Sequence, residues 1–118
     1  MLQGRLDQAT THFLKALHID PTYSTAHKGM GMALTRAGRL NEAAQHYLQA
    51  LESKPDDPVA HNDLGTVLAR LGRLEEAIPH FSEALRMMPN NAQVRDNLKR
   101  ALRLSGKSEA ALSTLGAH

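Results

Sequence analysis

A chain of 118 residues is long enough for one compact domain but short for an enzyme that must enclose a substrate and support a catalytic shell. Apolar residues make up 42% and aromatics only 3%, with much of the apolar share in Ala and Leu, a mixture that favours helix over strand. A net charge of +2 selects neither nucleic acid nor an anionic membrane, the lack of cysteine excludes disulfides and thiolate metal sites, and no apolar run is long enough to span a bilayer.

Sliding the sequence against itself by 34 residues aligns Gly4 with Gly38, Gly72 and Gly106, and Pro21 with Pro55 and Pro89. The same shift superposes Ala9, Ala43, Ala77 and Ala111, and then Phe13, Tyr47 and Phe81. The period divides the single domain 1–118 into a partial first repeat over 1–23, complete repeats over 24–57 and 58–91, and a capping repeat over 92–118. Each complete unit reads as two helical patterns, with Gly at the turn between them and Pro after the second, since neither residue suits a helix interior.

In chain order, the first unit has only Met1 to Gln3 ahead of its turn glycine, Gly4, and then a full second helix over Asp7 to His18. The apolar stripe of that helix, Leu6, Ala9, Phe13, Ala16 and Leu17, lacks its hairpin partner, so Leu6, Phe13 and Leu17 are candidates for self-association with a second copy. The second unit repeats the pattern with His27, Met30-Gly31, Leu34, Ala43 and Tyr47. In the third, Ala60, Leu64, Val67, Leu68 and Leu71 form one helical face, started by Asp57 as a cap and Pro58 at the first helical position. After Gly72, Leu74, Ala77, Ile78, Phe81, Ala84 and Leu85 form the facing stripe, and Pro79 is expected to bend this helix without breaking it. The fourth unit keeps Leu98, Leu102, Gly106, Ala111 and Leu115 in register but places Lys99 where Gly31 and Gly65 stand. Its charged face, Arg95, Lys99 and Arg103, fits a terminal cap meeting water, and Ser108 to His118 read as a short final helix.

The spacing and these residues resemble the tetratricopeptide repeat, whose pattern runs aromatic, two residues, Leu-Gly, two residues, Tyr, then Ala, three residues, Phe, then Pro. His61, Leu64-Gly65, Leu68, Ala77, Phe81 and Pro89 carry it in the third unit, with His27 and His61 in place of the first aromatic. The resemblance covers nearly the whole chain. It implies an all-α, right-handed superhelical solenoid of antiparallel helix hairpins, about three and a half repeats long, whose first helices line a concave ligand groove.

Carried over by register, that groove takes Lys28, Met32 and Arg36 from the second unit, Asn62, Thr66 and Arg70 from the third, and Asn97, Arg100 and Arg103 from the fourth. Its cations outnumber Asp63 and Asp96, so an acidic peptide or a terminal carboxylate is the expected ligand. Two specialisations of the family do not fit. Of the carboxylate-clamp set only Lys28 and Arg100 match, with Met32, Asp63 and Asp96 standing where Asn, Asn and Lys would be needed. Of an asparagine ladder at Gly29, Asp63 and Asn97 only the last matches.

Seven histidines raise a metal hypothesis, and His12, His46 and His80 recur at the repeat period. Helix axes lie about 8–10 Å apart, too far for a row of rings to reach one ion at about 2 Å. No metal or cofactor is expected. No Gly-x-Ser-x-Gly elbow, phosphate loop or paired-carboxylate motif occurs, so no enzymatic activity is expected either. The basic cluster Arg95, Lys99, Arg100, Arg103 and Lys107 has no aromatic side chains among it for stacking bases, which argues against nucleic acid. Without cysteine or the apolar core of a signal peptide, the expected location is cytoplasmic, and the expected function is a protein- or peptide-binding module, with a self-associating spacer as the alternative.

Overall fold

The computed structural model describes residues 2–106, with side chains from Leu6 onward. Six helices follow one another: α1 (Leu2–Ile19), α2 (Ser24–Arg36), α3 (Leu40–Ser53), α4 (Pro58–Arg70), α5 (Leu74–Met87) and α6 (Ala92–Leu104). Each packs chiefly on its neighbours in sequence, with a lesser contact between α4 and α6. The result is an elongated body, 46 × 28 × 20 Å, built as an all-α solenoid of stacked hairpins.

The hairpin turns follow from the glycines. Gly38 and Gly72 both adopt φ of 80°, a left-handed backbone that L side chains resist. That geometry lets Arg39 N–H and Arg73 N–H reach back to the carbonyls of Leu34 and Leu68 at 2.9 Å, and Gly38 and Gly72 N–H reach Thr35 and Ala69 at 3.0 Å. Carbonyls that the helix end would leave bare are thereby satisfied.

Gly4 behaves differently from the expected turn, because α1 runs straight through it from Leu2 to Ile19. A glycine takes a left-handed cap only where a helix ends, and within α1 its backbone stays helical. Pro79 lies inside α5, which continues to Met87. The ring sits on the exposed side of the helix, where a lost backbone bond leaves its carbonyl to water and not to the core.

Within each complete hairpin an aromatic ring lies on the bare backbone of a facing glycine. A Cβ on Gly31 would come within 2.8 Å of the Tyr47 ring, and one on Gly65 within 2.7 Å of Phe81. The core around these contacts is continuous along the stack, with Leu64 and Leu98 fully buried and Tyr47 and Phe81 nearly so. Burying side chains of this size stabilises by about 1.5–3 kcal/mol each, and most of that burial arises between elements rather than within one.

The α1 stripe expected to lie open is partly covered. Leu6 is buried, while Phe13 and Leu17 are half-buried against the core. The reason is that α2 packs on α1 as the next hairpin of any such stack does, covering one side of the stripe. Among the described residues, Arg95, Lys99 and Arg103 are exposed. Lys107, Ala111, Leu115 and the Ser108–His118 segment lie outside the described residues. No helix among the described residues is long and apolar enough to cross a membrane.

Candidate binding groove

Three clefts open along the face shared by the first helices of successive hairpins. The largest, about 490 Å³, lies between α1 and α2 and is lined by Leu6, Ala9, Phe13, Gly29, Met32 and Arg36, among others. A second of about 200 Å³ takes Met32, Thr35 and Arg36 from α2, Tyr47 from α3, and Asp63, Thr66 and Val67 from α4. A third of about 220 Å³ joins Thr66 and Arg70 of α4 to Asn97 and Arg100 of α6. Met32 and Arg36 belong to the first two clefts and Thr66 to the last two, so the three form one trough.

The residues named from sequence fare unequally in it. Met32, Arg36, Thr66, Arg70, Asn97 and Arg100 line the trough. Lys28 does not act as a groove cation: its Nζ lies 2.7 Å from Asp57 Oδ2, tying α2 to the cap of α4. Asn62 accepts a hydrogen bond from Asn97 Nδ2 at 3.1 Å, a brace between α4 and α6. Arg103 is exposed and lines none of these clefts.

Two residues at the α1–α2 cleft did not announce themselves as a pair. Phe13 of α1 is the repeat equivalent of Tyr47 and Phe81, and its ring packs against the backbone of α2, where a Cβ on Gly29 would be 2.3 Å from it. Gly29 stands at the position of Asp63 and Asn97, so the missing side chain was the visible signal. Its absence makes room for the ring and widens the cleft.

Charge is distributed unevenly between the two sets of helices. Arg39, Arg73 and Arg86 at or on the second helices are each neutralised by a glutamate three residues away, Glu42 at 2.7 Å, Glu76 at 2.6 Å, and Glu83. Arg36, Arg70, Arg100 and Arg103 on the first helices have no carboxylate within ion-pair distance among the described residues. Asp63, the one acid in the second cleft, is held above the usual carboxylate range by burial and by the Asp57 charge, against the pull of Lys28. Beneath it the Tyr47 hydroxyl is pushed up to about 12, chiefly by burial, so it stays neutral across the physiological range. The trough is therefore a positive, partly apolar channel.

Family comparison agrees with this architecture. A family model described as tetratricopeptide repeat matches residues 28–92, and a second of the same description matches residues 68–118. The chain belongs to the tetratricopeptide repeat family.

Among solved tetratricopeptide structures, the first such domain of Spaghetti (RPAP3), bound to the HSP90 peptide SRMEEVD, superposes with a TM-score of 0.80. That match has 22% identity and covers 89% of this chain and 85% of the other. YrrB, described as having an unusual peptide-binding site, superposes at 0.84 with 24% identity over 95% of this chain and 61% of its own. A MamA structure superposes at 0.83 with 18% identity over 92% of this chain and 63% of its own. The chain thus spans about three-fifths of the YrrB and MamA chains. No curated protein sequence gives a significant match.

Proposed function

We propose that this tetratricopeptide chain is a binding module that takes an acidic peptide segment of another protein in the trough along α2, α4 and α6. The observation that carries the reading is the contrast between neutralised arginines on the second helices and unpaired Arg36, Arg70 and Arg100 facing the clefts. Unpaired, exposed guanidiniums lining a trough favour carboxylates with bidentate geometry and select against cationic partners. Two structural neighbours support a peptide ligand, one bound to the HSP90 peptide SRMEEVD and the other described as having a peptide-binding site. With Lys28 committed to Asp57, Arg100 alone remains of the carboxylate-clamp match, so the ligand class is an internal acidic stretch as much as a chain terminus.

Fluorescence anisotropy with a labelled acidic heptapeptide and its Glu→Gln counterpart tests the reading. The acidic probe should bind more tightly, and Arg36→Glu with Arg70→Glu should weaken it by at least about tenfold, equivalent to about 1.4 kcal/mol. Both proteins should melt alike. Equal binding of the two probes, or no effect of the double reversal, removes the groove as the site.

A second reading has the α1–α2 cleft of about 490 Å³ in its favour, since Leu6 and Phe13 line it. There a second copy of the chain would be the occupant. Light scattering decides: a concentration-dependent dimer that Phe13→Asp dissociates supports it, and a monomer at high concentration ends it.

A further inference from the structure

The clefts belong to the groove already described, but a repeated histidine pair does not. In the first complete hairpin, Nδ1 of His27 on α2 lies 3.0 Å from Nδ1 of His46 on α3. In the second, Nδ1 of His61 on α4 lies 3.0 Å from Nδ1 of His80 on α5. The other nitrogen of each first-helix ring meets a loop carbonyl: His27 Nε2 lies 2.7 Å from Pro21 O and His61 Nε2 lies 2.9 Å from Pro55 O.

These contacts fix the protons. A carbonyl oxygen can only accept, so Nε2 of His27 and of His61 carries hydrogen and donates to Pro21 and Pro55. In a neutral ring the other nitrogen then offers a lone pair, so Nδ1 of His27 and of His61 is an acceptor. It follows that His46 and His80 donate from Nδ1. The ring centroids stand 5.3 and 5.2 Å apart, about as far as Nδ1 atoms in contact allow, so the nitrogens point at one another. No group of three or more metal-ligating side chains occurs among the described residues.

We infer that each hairpin is closed by an acid-sensitive latch, a histidine–histidine hydrogen bond that holds one proton between its Nδ1 atoms and opens when a second is forced there. A first added proton goes to Nε2 of His46 or His80, both half-exposed, and leaves the bond intact. The next has only Nδ1 of His27 or His61 to occupy, where two N–H groups would collide. His27 is buried and cannot turn to water without opening the seam between α2 and α3.

The charged surroundings do not undo this. His46 and His80 are held below the usual imidazole range, first by burial and then by the facing histidine, against Glu42 and Glu76 on their own helices. Glu42 and Glu76 are already bonded to Arg39 and Arg73, and Glu83 of α5, which feels His61, is bonded to Arg86. On the far side of His27 stand Pro21, Thr22, Gln49, Glu52 and Ser53, and Asp20 of that loop is engaged by Thr22.

The sign is that of a proton which the closed hairpin excludes by geometry and the unfolded chain accepts. Stability is intact above the unfolded imidazole value, near 6.5, and is lost as pH falls through it, because the unfolded chain then binds more protons than the folded one. With one proton excluded by each of the two latches, the unfolding constant should rise by up to about a hundredfold between pH 6 and pH 5.

Two measurements on the full chain test this. Long-range ¹H–¹⁵N spectra at pH 8 should show His27 and His61 as Nε2–H tautomers and His46 and His80 as Nδ1–H tautomers; four Nε2–H rings would overturn the inference. In urea titrations, His46→Asn with His80→Asn keeps an amide donor at the Nδ1 position yet can flip to accept from a protonated ring. The inference stands if the variant's rise in unfolding constant is at least about tenfold smaller than the wild type's, and falls otherwise. Should the variant not fold, the tautomers of the wild-type chain decide.

Discussion

Lys28 shows how a single side chain changes role between sequence and structure. Its spacing from Arg36 places it on the groove face, yet its ammonium is used on Asp57, whose side chain is only 7% exposed. Burial works to raise the Asp57 carboxyl, but the Lys28 hydrogen bond, the Ala60 N–H and the charges of Lys28 and Lys54 outweigh it and hold it below the usual range. Removing the cation would leave a buried carboxylate with one backbone donor. Lys28→Met should therefore destabilise the chain by about 2 kcal/mol in urea unfolding at neutral pH. Because the carboxyl is depressed when folded, this stabilisation is present above the unfolded value and vanishes as pH falls through the folded one. The gap between the two proteins should thus narrow as pH falls below the unfolded carboxyl value, and a gap unchanged by acid would mean that Lys28 acts through packing.

At the scale of the element, the helix starts differ where the repeat alignment puts equivalent residues. Asp57 and Asn91 cap α4 and α6 by accepting from Ala60 N–H at 3.1 Å and Val94 N–H at 3.0 Å. Tyr23 occupies the same position before α2 and makes no capping hydrogen bond. Its side chain is 47% exposed, so replacing it disturbs little packing. Tyr23→Asp should stabilise the chain by about 1 kcal/mol, seen as a raised urea midpoint with unchanged slope. Such features were open to inspection in the sequence, since Asp57-Pro58 and the turn glycines act through the backbone within a few residues. Gly4 was not, because the same residue type serves as a left-handed cap only when a helix ends before it. The histidine pairs were hidden for a related reason: a separation of 19 residues matches no helical spacing, and only antiparallel packing of α2 on α3 brings His27 to His46.

For the molecule as a whole, contacts run almost entirely between successive helices, so stability is a sum of neighbouring seams with no single central core. The middle hairpin, α4 with α5, is packed from both sides, whereas among the described residues α1 packs chiefly on α2. Hydrogen exchange should accordingly grade along the stack. Amides of Leu64, Leu68 and Phe81 should be the slowest and those of Thr11 to Lys15 among the fastest. Uniform protection from α1 to α6 would show instead that the stack opens as one unit.

The sequence by itself determined the period, the hairpins, the buried stripes and the family, because each depends on interactions repeated at fixed spacing along one chain. Tertiary structure alone decided which cations remain free and which rings meet. Ion pairing and hydrogen bonding are settled by which side chains come within a few ångströms of each other, and residues 16 to 35 apart in sequence, such as Phe13 with Gly29, Lys28 with Asp57, and Asn62 with Asn97, meet only when helices stack.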